Sequence, residues 1–315
     1  MGIINFFDNR RFWGNKRNKF LSRIYFYSIC NKIIEICANA VLPIYFYLTR
    51  NNPKYTIKES DEKTTGRLIL SLTSFKTRIP KLWLVVESIL RNNVKPDKFI
   101  LYLQLDSMDE VPHKLKELQK RGVEIRLCST ELRSHNKYFH AMKEFPNDCI
   151  ITIDDDIFYR NDIIETFAEL HKRHPDSIIT NRAKTIKTST PLYKEWPDTE
   201  EQAEDIRILP IGVAGVLYPP QSLHEDVFNK ELIKELCLTA DDIWLTCMAL
   251  LKGTPKFFSN YRQGFISVRI PNNTTLLDVN CTRNQICVDN LNNHYKMMIG
   301  KQPFIDLKNN QLKHK

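Results

Sequence analysis

From residue 67 onward, short β-branched apolar runs alternate with segments whose apolar positions recur at helical spacing. Residues 67–72 read as a first strand ending in Thr73-Ser74, 98–103 as a second, 124–127 as a third and 149–153 as a fourth. Between them, Leu82, Val85, Val86, Ile89 and Leu90 share one face of a helix over residues 81–91. Shorter helices are expected over 115–120 and 137–144. This βαβαβαβ order predicts an α/β fold: an open, mainly parallel twisted sheet with helices on both faces. The later part is less regular. A helix over 163–171 is expected to be capped by Asn161 and stopped by Pro175, with strands near 177–180 and 208–211 and a helix over 241–252 ending at Gly253.

The fourth strand runs straight into Asp154-Asp155-Asp156. A buried strand has no use for consecutive carboxylates unless something cationic neutralises them. On an extended chain Asp154 and Asp156 share one side and Asp155 points away. Two carboxylates on one side suit a hard divalent cation that keeps waters or substrate phosphates in its shell. Their place, the carboxyl end of a central strand, is where open α/β sheets bind ligands. The plain alternative is a strand followed by a solvated Asp-rich turn. Farther along, Gly212-Val213-Ala214-Gly215 is a small-residue loop that lets a ligand approach the backbone. A second acidic pair, Asp241-Asp242, opens a helix, where the dipole favours anions. N-capping explains Asp241 but leaves Asp242 over.

Charge changes the picture at the N-terminus. Residues 1–58 hold ten Lys/Arg against Asp8 and Glu35, a surplus of eight out of the chain's net +9. The near-neutral remainder excludes a general nucleic-acid-binding surface. The same segment is aromatic and apolar, with Trp13, Phe20-Leu21, Ile24-Tyr25-Phe26-Tyr27 and an uncharged stretch over 36–49. That stretch falls short of the roughly 20 residues that span a bilayer, and Pro43 and Asn39 interrupt it. No cleavage pattern of a secretory leader follows. A basic, aromatic helix suits an anionic membrane surface, the alternative being a helix that packs on the main domain. Residues 51–65 read as a polar linker, which divides the chain into 1–62 and 63–315. Eight scattered cysteines without a Cys-x-x-Cys pair point to a reducing compartment rather than to disulfides or zinc.

The segments "SLTSFKTRIP", "KPDKFILYL", "IITIDDDIFY", "GVAGVLYPP" and "ADDIWL", in this order, resemble a bacterial GT-A-fold glycosyltransferase, similar to the prokaryotic family 2-like enzymes. The resemblance implies a nucleotide-binding half over 66–160 and an acceptor half over 161–300. It implies hexosyl transfer from a nucleotide sugar, with a UDP-sugar favoured, to a glycan or lipid-linked acceptor in surface polysaccharide synthesis, with inversion. Donor contacts are expected from Thr73, Ser74, Arg78, Asp106, Lys137, Asp154, Asp155 and Gly215. Asp154 and Asp156 would hold Mn2+ or Mg2+. Asp242, with Asp241 beside it, is expected as the catalytic base. Trp244 reads as core, and His294 as structural more than as an extra metal ligand. The enzyme is expected in the cytoplasm, peripheral at the inner face of the plasma membrane. The alternatives are a nucleotidyltransferase on a similar fold, although "SLTSFKTRIP" lacks a Gly-rich loop, or an inactive membrane-surface scaffold.

Overall fold

A computed structural model describes residues 2–11, 25–58, 66–261, 265–270 and 277–307. Its strands are β1 (Leu68–Phe75), β2 (Lys98–Gln104), β3 (Val123–Leu127), β4 (Cys149–Thr152), β5 (Ile157–Phe158), β6 (Ile178–Thr180), β7 (Ala183–Thr185), β8 (Ala203–Asp205), β9 (Ile208–Pro210), β10 (Val216–Tyr218), β11 (Lys256–Phe258) and β12 (Ile266–Ser267). Eight of them form one sheet in the order β3-β2-β1-β4-β10-β6-β11-β8. β1 to β4 are parallel to their neighbours, as the alternating pattern predicts, while β10 enters antiparallel between β4 and β6, and β8 lies antiparallel on the far edge. The central strands are apolar on both faces because helices cover both: Leu70 and Leu72 join one core, Ile69 and Ile150 another.

The antiparallel insertion of β10 was not legible as strand direction, and it organises the site. Val216 pairs with Thr152 on one side and Thr180 on the other. The amino end of β10, with the Gly212–Ala214 turn before it, therefore lies beside the carboxyl end of β4 and its Asp box. Helix bounds agree closely where amphipathic spacing is clear: Ile79–Leu90, Asn136–Glu144, Ile163–Arg173 and Asp241–Lys252, the last ending at Gly253 in the left-handed conformation. Asn161 does not cap the Ile163–Arg173 helix. Asp162 holds that position without a side-chain capping bond, its carboxylate accepting from Arg160 instead, and Asn161 turns inward to donate its amide to the Arg91 carbonyl at 2.8 Å.

In the N-terminal segment, Phe26–Thr49 is one helix that runs through Pro43. Ala38, Leu42 and Phe46 are fully buried and belong to the same core as β1 and the Ile79–Leu90 helix. The Arg91 guanidinium stacks on Phe46 at 4.4 Å and donates to the Phe46 carbonyl and to Thr49 Oγ1. Asn39 clamps the β12 region, donating to the Ser267 carbonyl and accepting from the Arg269 amide, each at 2.8 Å. The opposite stripe, Ile29, Ile33, Ile36, Ile44, Tyr47 and Leu48, stands exposed. Packing on the body and presentation of an apolar face are thus both features of this helix. By length and composition it is also apolar enough to cross a membrane, because the charges at Lys32 and Glu35 are few and pair with each other. Of the expected linker, residues 51–58 are held on the body, with Tyr55 and Ile57 buried and the Ile57 amide bonded to the Arg121 carbonyl. Residues 59–65 lie outside the described residues, as do Trp13, Lys16, Arg17, Lys19, Phe20, Leu21, Arg23 and Ile24.

Candidate functional site

Four segments converge at the carboxyl ends of β1 and β4. Lys137, in the first turn of the Asn136–Glu144 helix, is held there by Ser71 of β1, whose hydroxyl donates to the Lys137 carbonyl at 2.5 Å. Its buried ammonium lies 3.1 Å from Asp154 Oδ1 and 2.7 Å from Asp241 Oδ2. Burial alone would weaken its hold on a proton, but Asp154, Asp241 and Asp242 together push its pKa well above the ordinary lysine value. For Asp241, burial pushes upward, and Lys137 with His135 outweighs it, so the carboxyl sits below its usual range. Asp242 is pushed up to about 7, by burial first and by the Asp241 charge second. Both Asp242 oxygens accept from the Gly212 amide at 3.1 Å. A Cβ on Gly212 would lie 2.9 Å from Lys137 Nζ and 3.0 Å from Asp242 Oδ1, so any side chain there displaces one of these two charged groups.

Tyr159 locks the Asp box to that turn. The Asp154 amide donates to Tyr159 Oη at 2.8 Å, and the hydroxyl donates to the Val213 carbonyl at 3.2 Å. On the other flank, Asp155 is buried and accepts from Ser74 Oγ at 2.5 Å and Arg78 Nη1 at 2.6 Å. The same Nη1 lies 3.0 Å from Asp156 Oδ2. Asp156 is pushed up to about 6, first by burial and then by Asp154.

Two local expectations are corrected. β4 ends at Thr152 and the Asp box follows in a bend, so strand alternation does not govern it: Asp155 and Asp156 share one guanidinium, and Asp155 turns into the protein. Asp241 is not a cap. Ala240 holds the N-cap position, no side-chain cap bond forms, and the Asp241 carboxylate pairs with Lys137 instead. Gly215, with φ +81°, lies in the left-handed region that favours glycine, and a Cβ there would also meet the Phe167 ring at 3.1 Å. Gly212 is the loop glycine that approaches the charges.

The remaining residues fall around this centre. Thr73 Oγ1 donates to the Tyr102 carbonyl, and Asp106 sits exposed in the loop after β2. Trp244 is fully buried in the core, and His294 packs edge-on against Tyr295. Gly212 lies in the small-residue loop that the sequence marks, whereas Tyr159 was missed because it carries no motif; a lone Tyr three residues after an Asp box is indistinguishable from core in sequence. His135, buried and bonded to Tyr138 Oη and the Cys237 carbonyl, was missed likewise.

The donor set fits a divalent cation. Among the described residues the ion pairs of Asp154, Asp155, Asp156 and Asp241 are made with Lys137 and Arg78 alone, so five carboxyl groups meet two side-chain cations there. Among the described residues no group of three or more His, Cys, Asp or Glu side chains closes on one point. A cation on Asp154 and Asp156 would therefore have to complete its shell with water or substrate oxygens, as Mg2+ commonly does.

The family model described as Glycosyl transferase family 2 matches residues 73–249, a span that contains Arg78, Lys137, the Asp box, Gly212 and Asp241-Asp242. No curated protein matches significantly. Among solved structures, the chain is similar to CMP:2-keto-3-deoxy-manno-octonic acid synthetase complexed with CTP, at 11% identity over 72% of this chain and 100% of that one, with a TM-score of 0.39.

Proposed function

The chain belongs to glycosyl transferase family 2, and on that premise we propose that it moves a hexosyl group from a nucleotide sugar, a UDP-sugar by preference, to a glycan or lipid-linked acceptor with inversion. The observation that carries this reading is the meeting of Asp154, Lys137, Asp242 and the Gly212 amide at one point within the matched span. Asp242 is the base. It takes the proton of the acceptor hydroxyl as that oxygen attacks the anomeric carbon, and the bond from that carbon to the diphosphate breaks with its electron pair on the nucleotide. Its raised affinity for a proton supports this role, whereas Asp241 is committed to Lys137. Mn2+ or Mg2+ on Asp154 and Asp156 would supply positive charge to the departing diphosphate. Arg78 and Lys137 position these carboxylates. Ser74, tied to Asp155, sets the loop after β1 against which the donor is expected to lie, with Thr73 and Asp106 at its margin.

We further propose that the protein works at the inner face of the plasma membrane, with the Phe26–Thr49 helix lying along the surface on its exposed apolar stripe. Its ties to Arg91 and to β12 support a surface-lying rather than a spanning helix. The test is incubation of the purified chain with UDP-, GDP- and CMP-sugars and Mn2+, scoring the nucleotide product and the glycosylated acceptor. Metal-dependent release of UDP or GDP supports the reading. Release of pyrophosphate from a nucleoside triphosphate and a sugar would replace it with nucleotidyl transfer, and donor binding without any turnover would replace it with an inactive scaffold.

A further inference from the structure

At the end of the sheet opposite the Asp box, a cleft of about 770 Å3 opens between the N-terminal helix and the body. Lys54, Arg91, Lys95 and Asn161 line it, and its apolar wall includes Phe6 and Val41, both exposed at about two-fifths. Cations are in excess here. Glu87 serves two guanidiniums at once, Arg91 and Arg121. Lys54 and Lys95 have no carboxylate partner among the described residues; Lys95 donates only to the Asn92 carbonyl and Lys54 stacks on Tyr55. Lys95 is pushed down to about 8, by burial first and then by Lys54, Arg91 and Arg121, so the ammonium is held where an anion is lacking. A phosphate ester supplies the anion that Lys54 and Lys95 lack.

We propose that this cleft binds the headgroup phosphate of an anionic phospholipid. It thereby fixes the N-terminal helix in the bilayer interface at one depth and orientation. The lipid is favoured over a soluble phosphate because Val41 of the cleft wall shares one helix face with the exposed Ile44 and Leu48, three and seven residues on, which give acyl chains an apolar surface to meet. The inference rests on the membrane-surface reading above and deepens it: general attraction of a basic segment needs no pocket, whereas this site makes two particular lysines decisive.

The test measures partition of the full-length protein into vesicles of phosphatidylcholine alone and of phosphatidylcholine with phosphatidylglycerol, by sedimentation. Lys54→Gln/Lys95→Gln is compared with Arg10→Gln/Lys32→Gln, which removes the same charge outside the cleft. The cleft pair should lower binding to the anionic vesicles by about tenfold or more, and the control pair by less than about threefold. Lys54→Arg/Lys95→Arg should restore it, and thermal unfolding should show all variants folded. Equal losses in the two pairs would overturn the cleft while leaving general membrane attraction intact. Failure of the parent protein to bind anionic vesicles would overturn both. If inorganic phosphate or glycerol phosphate raises the parent's melting temperature and displaces it from vesicles at millimolar concentration, the site is one for soluble phosphate and the lipid assignment falls. Nucleotide-sugar turnover, carried by residues at the other end of the sheet, separates this result from the enzymatic reading.

Discussion

Lys137→Met gives the sharpest test of how the site is held together. The ammonium is buried and neutralises Asp154 at 3.1 Å and Asp241 at 2.7 Å, with Asp242 close enough to contribute. Methionine fills similar volume, so the loss is electrostatic rather than a cavity. Removing one partner of a buried ion pair costs about 3–5 kcal/mol, because it leaves an uncompensated charge behind. The pH dependence follows from the direction of the Asp241 shift. In the parent, Lys137 keeps Asp241 below its ordinary value, so its contribution is present above about pH 4 and is lost only as pH falls further. Without Lys137, burial raises the Asp241 pKa, and the folded variant binds a proton that the unfolded chain does not. Through Asp241 the variant therefore gains stability on acidification where the parent does not, beyond what the raised Asp242 and Asp156 give both proteins, and the gap between them narrows from about pH 8 to about pH 5. Urea unfolding followed by circular dichroism at both pH values measures this. A gap smaller than about 1 kcal/mol at the higher pH, or one that widens on acidification, refutes the account of Lys137 as the neutralising centre.

Asp156→Asn should leave the fold intact and lower metal-dependent turnover by about 10²-fold or more, whereas Asp155→Asn, which breaks the Ser74 and Arg78 contacts, should lower the melting temperature as well, through about 1–3 kcal/mol; steady-state kinetics and calorimetry separate them, and interchangeable effects would sink the assignment. Asp242→Asn should cut transfer by about 10²–10⁴-fold while donor affinity measured by calorimetry stays near that of the parent, and lost donor affinity would move Asp242 into the donor site. Gly212→Ala should reduce turnover at small cost in stability, since its Cβ presses Lys137 and Asp242 apart; a fully active Gly212→Ala protein would refute that close approach. A chain starting at Asp61 should aggregate, because Ile4, Leu42 and Phe46, each worth about 1.5–3 kcal/mol when buried, leave the core; a monodisperse, cooperatively unfolding fragment would show that the helix is dispensable.

Local order in the first half was legible because parallel strands buried on both faces leave continuous apolar runs, and the helices between them leave a one-sided stripe. The Ile79–Leu90 and Asp241–Lys252 helices, the strands from β1 to β4 and the burial of Trp244 all follow from such periods. So does the position of the Asp box, since the end of an apolar run marks the end of a strand. What the patterns could not carry is anything set by residues distant in sequence. β10 is three residues long, and its antiparallel entry beside β4 depends on the rest of the sheet, yet that pairing alone brings the Gly212 amide to Asp242. Asp241 has the sequence of a cap and the environment of a buried ion-pair partner, because Lys137, about a hundred residues earlier, lies across from it. The N-terminal helix is apolar on more than one face, with Lys32 and Glu35 its charged residues. Composition therefore predicted that it seeks a nonpolar surface, and only the fold determined that Ala38, Leu42 and Phe46 take the body and the stripe from Ile29 to Leu48 faces out.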